Sequence, residues 1–95
     1  MEQEENKDAF KVVWKRKIEK DIAKMPDKMQ KRFHDLVADI RKSGPIRTNW
    51  ANFSSLGKNL YHCHIGYSWV VCWRREEDTI VVEVYYVGSR ESAPY

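Results

Sequence analysis

The chain has 95 residues, of which 42% are hydrophobic and 33% are charged, and its formal net charge is +3. This length and balance predict one small globular domain and exclude a disordered chain. No apolar run approaches the roughly twenty residues that a membrane-spanning helix needs. The cysteines Cys63 and Cys72 are too few for a disulfide-rich secreted scaffold. We therefore expect buried thiols rather than a bridge, and a cytoplasmic protein.

The charge is unevenly distributed along the chain. Residues 1–8 contain four acidic side chains, one lysine and no apolar anchor, so we expect a flexible acidic tail that is neither a signal peptide nor a transit peptide. The remaining residues, 9–95, contain 16 basic and 10 acidic side chains, a net charge of +6. This basic body favours an anionic partner such as RNA, DNA or an acidic protein segment.

The first half of residues 9–95 predicts one strand and two helices. Phe10–Trp14 is rich in strand-forming residues, and Arg16–Met25 carries apolar residues at helical spacing until Pro26 ends it. Asp27 is the predicted N-cap of a second helix, which ends at Ser43-Gly44-Pro45. Its apolar stripe consists of Met29, Phe33, Leu36, Val37 and Ile40. We interpret its polar side as a solvated face rather than a binding face; it carries Lys28, Lys31, Arg32, Asp35, Asp39 and Lys42.

The second half predicts a meander of three strands. Ile46–Lys58 reads as a loop-like connector, after which the apolar period changes from 3.6 to 2. Strands are predicted over Leu60–Ile65, Ser68–Arg74 and Thr79–Val87. The expected fold of residues 9–95 is therefore α+β, in the order β-α-α-β-β-β. Its two helices pack on one face of an antiparallel sheet, and the other, open face is left partly uncovered and can be used for binding.

His62 and His64 are the first candidate functional residues. They are two positions apart in a strand, so their side chains point to the same face. If Gly66-Tyr67 is a two-residue turn, His64 pairs with Trp69 and His62 with Val71. That pairing predicts one shared face made of Leu60, His62, His64, Trp69, Val71 and Trp73.

Three interpretations of the two histidines stay open at this point. An imidazole transfers protons near neutral pH and an indole stacks on a base, which suits work on a nucleic acid. Alternatively, both histidines are hydrogen-bonded structural residues. A metal site is the weakest interpretation, because strand alternation sends Cys63 to the other face and two ligands do not complete a tetrahedral site. We therefore predict neither a metal nor a cofactor.

The C-terminal segment adds two candidates. Arg90 follows the last strand, where a guanidinium can bind a phosphate, and Tyr95 can stack on a base. Phosphate loops, Ser/His/Asp orderings and zinc spacings are absent from the sequence. Individual polar side chains of this kind suit RNA cleavage without a metal, in which the substrate's own 2′-hydroxyl attacks the phosphorus.

The element order and several segments resemble the RelE/ParE superfamily of bacterial and archaeal toxins. The matching segments are residues 53–61 (FSSLGKNLY), 62–65 (HCHI), 78–86 and Val87-Gly88-Ser89-Arg90. The resemblance implies a toxin that a cognate antitoxin holds inactive, and for RelE members a ribosome-dependent mRNA endonuclease that represses translation. It assigns the catalytic positions to His62, His64, Arg90 and Tyr95.

One position of the family pattern is not matched. The arginine of the middle strand falls on Ser68 or Trp69, and Arg74 reaches the site only if the strand pairing differs from the predicted one. We therefore expect Ser68, Trp69 and Arg74 to contact RNA rather than to catalyse. The alternatives are a non-enzymatic ParE-like toxin that inhibits DNA gyrase, and an RNA-binding or decayed toxin that does not cleave.

Overall fold

The computed structural model describes residues 8–95, so all but Asp8 of the predicted acidic tail lies outside the described residues. It contains two helices and five strands, in agreement with the predicted α+β class. In chain order these are β1 (Lys11–Val13), α1 (Arg16–Ala23), α2 (Asp27–Ser43), β2 (Ser54–Gly57), β3 (Leu60–Gly66), β4 (Trp69–Arg75) and β5 (Val81–Ser89), followed by a 3-10 turn (Arg90–Ser92).

The five strands form one sheet in the order β1-β5-β4-β3-β2. The predicted meander of β3, β4 and β5 is confirmed, and its pairings are antiparallel. Two features differ from the prediction. β1 pairs with β5 in parallel rather than antiparallel fashion. The predicted connector contains an additional strand, β2, which pairs with β3 alone. Serine and glycine have weak strand propensity, so this short edge strand left no clear pattern in the sequence.

Both helices form close to their predicted limits. α1 ends at Ala23, two residues before the expected end, although Met25 is still buried at 3% exposure. Asp27 is the first helical residue and Pro26 takes the N-cap position, so the predicted capping role of Asp27 is wrong. α2 stops at Gly44, whose φ of +95° lies in the left-handed region that favours glycine.

The core fills the space between the helices and one face of the sheet. The apolar stripe of α2 is buried as predicted, with Phe33, Leu36 and Ile40 fully inaccessible and Met29 packed at the margin. Trp73 of β4 is also inaccessible, and its indole N–H donates a 3.0 Å hydrogen bond to the Pro45 carbonyl. The largest core side chain thus ties the sheet to the segment that follows α2.

The two cysteines are free thiols on opposite faces of the sheet. Cys63 belongs to the core beneath the helices, and it pairs with Val71, the neighbour of Cys72 in β4. Strand alternation therefore turns Cys72 to the other face. Burial raises the pKa of each thiol to about 12, so both stay protonated at neutral pH. Within residues 8–95, no helix is both long and apolar enough to cross a membrane.

Replacing Leu36 by alanine tests this packing. Leu36→Ala removes a fully buried side chain from the helix–sheet interface and should lower the free energy of unfolding by about 2–5 kcal/mol. The matched control is Lys31→Ala on the exposed side of the same helix, which should change stability by less than about 0.5 kcal/mol. Urea denaturation measures both. Equal effects of the two substitutions would contradict the described core.

Candidate active site

The pairing of β3 with β4 decides which side chains share a face with the histidines. His62 lies opposite Cys72 and His64 opposite Val70, while Gly66 pairs with Trp69 across the turn Tyr67-Ser68. The predicted pairing of His64 with Trp69 and of His62 with Val71 is therefore wrong. The turn lies one residue later than predicted and the register shifts between His64 and Gly66, and together these two features move the β4 partner of each histidine by one position.

The shift gives the predicted RNA-contact residues new surroundings. Trp69 packs against the core, as do Val71 and Trp73, so its indole is on the opposite face from the histidines. Ser68 is exposed in the turn, and its carbonyl accepts a 2.9 Å hydrogen bond from the Arg90 N–H. Arg74 shares the open face but forms a 2.7 Å ion pair with Glu83. Within residues 8–95, none of the three forms a hydrogen bond or ring contact with His62 or His64.

The two histidines form a pair on the open face of the sheet, with ring centroids 5.8 Å apart. The Nδ1 atom of His62 lies 3.0 Å from the Ser54 hydroxyl, and that of His64 lies 3.3 Å from the Asn52 side-chain nitrogen. An amide nitrogen only donates, so neutral His64 accepts at Nδ1 and carries its proton on Nε2. The partners that orient both rings thus come from β2 and the loop before it.

Tyr95 and Arg90 complete the cluster. The Tyr95 ring lies against His62 with centroids 4.4 Å apart, and His62 is only 7% exposed. Arg90 opens the 3-10 turn after β5, and its guanidinium lies 5.3 Å from the centre of the Tyr67 ring. The structure therefore brings all four predicted catalytic residues to one region, although His62 is covered and His64 is the more accessible imidazole.

The electrostatics of the cluster favour uncharged imidazoles. Burial lowers the pKa of His62, the nearby His64 lowers it further, and the Ser54 hydrogen bond partly opposes both effects. Burial also lowers the pKa of His64, and the positive charge of Arg90 adds to that shift. Burial raises the pKa of Tyr95. At neutral pH the site therefore contains two neutral imidazoles, an un-ionised phenol and a permanent cation.

A cavity of about 350 Å³ lies beside His64, between α2 and the β3–β4 turn. Its polar lining consists of Arg32, Asn52, His64, Tyr67 and Arg90. Arg32 and Asn52 were not predicted as site residues. Helical periodicity assigned Arg32 correctly to the polar side of α2, but the sequence contains no signal for which strand that side approaches.

No group of three or more His, Cys, Asp or Glu side chains in residues 8–95 is arranged to hold a metal ion. The run His62-Cys63-His64 resembles a ligand set only in the linear sequence. In the folded chain Cys63 points into the core and the imidazoles point away from it.

Removing the charge of Arg90 should raise the pKa of His64. Arg90→Gln deletes a cation that disfavours the imidazolium, while the burial of the ring stays and keeps the pKa below its ordinary value of 6.5. NMR titration of the imidazole resonances measures the change. The control is Arg41→Gln, which removes an arginine from the last turn of α2 and should leave the titration of His64 unaltered. An unchanged pKa in Arg90→Gln would show that the guanidinium does not act on this ring.

Comparison with known proteins identifies the fold. No protein-family model and no curated protein matches this sequence. Among solved structures, a chain of the archaeal RelE–RelB complex from Pyrococcus horikoshii aligns with a TM-score of 0.71 at 15% identity, covering 90% of this chain and 99% of that chain. The YoeB–YefM complex from Staphylococcus aureus matches with a TM-score of 0.66 at 11% identity, covering 85% and 97%. The YoeB/ParE toxin from Agrobacterium tumefaciens gives 0.62 at 16% identity, covering 85% and 99%. The chain therefore has the fold of the RelE/ParE toxin superfamily.

Proposed function

We propose that the protein is the toxin of a type II toxin–antitoxin system and that it cleaves mRNA in a ribosome-dependent reaction, thereby repressing translation. The observation that carries this proposal is the cluster of His62, His64, Arg90 and Tyr95 on the open face of the sheet. It combines two proton-transfer groups, a cation and an aromatic ring. Metal-independent cleavage at the 2′-hydroxyl requires groups of these kinds.

The proposed reaction uses the substrate's own nucleophile. The 2′-hydroxyl attacks the adjacent phosphorus and loses its proton to an imidazole, while the bond from phosphorus to the 5′-oxygen breaks and that oxygen takes a proton from an acid. The products are a 2′,3′-cyclic phosphate and a free 5′-hydroxyl. Arg90 stabilises the negative charge that grows on the phosphoryl oxygens. DNA lacks the 2′-hydroxyl, so the chemistry selects RNA.

The two imidazoles differ in their access to a substrate. His64 lines the cavity together with Arg90, and only its charged form, the imidazolium, can donate the Nε2 proton to the leaving oxygen and return to the neutral imidazole. His62, with its lowered pKa, suits the role of base. The Tyr95 ring covers His62, so Tyr95 has to turn aside before His62 exchanges a proton with RNA. A bound phosphate also favours the charged form of His64 and so prepares it as an acid.

An antitoxin is the proposed protein partner. Two of the similar structures are complexes, of RelE with RelB and of YoeB with YefM. The basic character of residues 9–95 suits an acidic partner segment. Such a partner would silence the toxin by covering the open face. The ribosome and its mRNA are the proposed targets in its absence.

A non-enzymatic toxin that acts on DNA gyrase is the second candidate. One observation favours it: near the histidines, the open face of β4 carries the uncharged residues Val70 and Cys72, so β4 supplies no cation beside the imidazoles. Such a toxin needs no acid–base pair. His62→Gln combined with His64→Gln would then leave growth inhibition intact, whereas the nuclease proposal requires its loss.

Replacement of the imidazoles should abolish cleavage. In primer extension on mRNA under translation, the wild-type chain should produce new 5′ ends. His64→Gln should reduce their rate of appearance by about 10²–10⁴-fold, since it removes a proton-transfer group that lines the cavity. His62→Gln should also reduce the rate, since it removes the group proposed as the base.

The matched control is His34→Gln, which changes an exposed histidine on the polar side of α2 and should cleave like the wild type. Arg90→Ala should also lose activity because the phosphoryl charge is then unstabilised. A folded, ribosome-associated wild-type chain that produces no new 5′ ends would refute the nuclease proposal.

A further inference from the structure

The cavity beside His64 is lined by two arginines that come from opposite sides of it. Arg32 belongs to α2 and Arg90 to the turn after β5. No carboxylate from residues 8–95 lines this cavity, and neither guanidinium forms an ion pair within the described part of the chain. Two like charges facing one cavity without a counter-charge create a positive potential that an anion would relieve.

Each guanidinium lies near the face of an aromatic ring. Arg32 lies 4.7 Å from the centre of the Trp50 ring, and its Nε–H donates a 3.3 Å hydrogen bond to the Ile65 carbonyl. Arg90 lies over Tyr67 in the same way. The Trp50 ring is in turn fixed by a 2.9 Å hydrogen bond from its N–H to Asp39. These interactions leave the terminal nitrogens of Arg32 without a partner in residues 8–95.

Two acidic side chains of α2 line a different space from this cavity. Asp35 and Asp39 line a separate groove of about 420 Å³ along α2. The Asp39 carboxylate forms an ion pair with Arg47 and accepts hydrogen bonds from Asn49 and Trp50. Arg32 is the one polar residue that borders both spaces. Arg32 therefore borders the acidic groove on one side and the cavity with His64 and Arg90 on the other.

We propose that Arg32 forms a phosphate-binding subsite for single-stranded RNA, which holds the phosphodiester next to the one that is cleaved, while Arg90 in the same cavity contacts the reacting phosphate. The inference rests on the proposed function and extends it from the reacting phosphate to the neighbouring nucleotide. A planar guanidinium fork matches two phosphate oxygens, and the volume suits a ligand larger than a single phosphate. Tyr67, which is 85% exposed at the rim, offers a ring on which the adjoining base stacks.

Binding of an RNA that cannot be cleaved tests the subsite directly. The probe is a short, fluorescein-labelled 2′-O-methyl oligonucleotide, and anisotropy gives its dissociation constant at several salt concentrations. Arg32→Gln should weaken binding about tenfold. It should also reduce the salt slope by about 0.7, the value expected when one fewer phosphate of a single strand is neutralised.

The matched control is Lys31→Gln, the adjacent exposed position on the same helix, which does not line the cavity. It should retain the wild-type affinity and salt slope. Arg32→Lys keeps the charge but removes the fork, so it should bind with intermediate affinity and an unchanged salt slope. If circular dichroism shows that Arg32→Gln does not fold, the affinities of Arg32→Lys and Lys31→Gln are compared instead. Weaker binding by Arg32→Lys than by Lys31→Gln supports the subsite, and equal binding contradicts it.

Three results would overturn the subsite. Wild-type binding in Arg32→Gln would do so, as would equal reductions of affinity in Arg32→Gln and Lys31→Gln, which indicate a diffuse basic surface. The third is an acidic peptide that binds with the expected dependence on Arg32 while the oligonucleotide does not bind. Cleavage by the wild type, measured separately, tells the two proposals apart. If RNA binding depends on Arg32 but no cleavage occurs, the subsite is retained and the nuclease proposal is refuted. If cleavage occurs and Arg32→Gln does not change it, the nuclease proposal is retained and the subsite is refuted.

Discussion

Burial of one face of β3 determines where the histidines point. Cys63 and Ile65 are at most 2% exposed beneath the helices, and strand alternation sends the residues on either side of Cys63 to the opposite face. A slip of one residue would place both imidazoles under α2. Burying a polar group there without a hydrogen-bond partner would cost on the order of several kcal/mol. The hydrophobic core therefore sets the geometry of a polar cluster on the other face of β3.

The open face combines burial with positive charge, and this combination controls protonation. His62 is nearly inaccessible under Tyr95, so water solvates its charged form poorly. His64 is less buried but has Arg90 as a neighbour. Both effects favour the neutral imidazole, and within residues 8–95 no acid lines the cavity beside His64 to oppose them. An incoming phosphate would be the counter-charge that this environment lacks, so substrate binding and imidazole protonation are expected to be coupled.

Periodicity in the sequence was sufficient for the parts of the fold that have a buried face. Helical spacing of apolar residues predicted both helices. Alternation with a period of two predicted the meander and the shared side of His62 and His64. It could not determine the β3–β4 register, because one additional residue at the turn exchanges the faces of β4 and moves Trp69 from the site to the core. It also missed β2, whose serine- and glycine-rich sequence has no buried stripe. The hydrogen-bonding partners of the imidazoles, which lie in and before that strand, were missed for the same reason.

α2 connects the core to the candidate site. Phe33 is fully buried, and the preceding residue, Arg32, projects to the rim where its guanidinium contacts Trp50 and the Ile65 carbonyl. Because Ile65 directly follows His64 in β3, one hydrogen bond ties this helix to the backbone beside the accessible imidazole. The position of Arg32 relative to Arg90 therefore depends on how α2 packs on the sheet. A fold this small can hold two guanidinium groups around one cavity that no described carboxylate lines because the apolar packing beneath them keeps α2 in place.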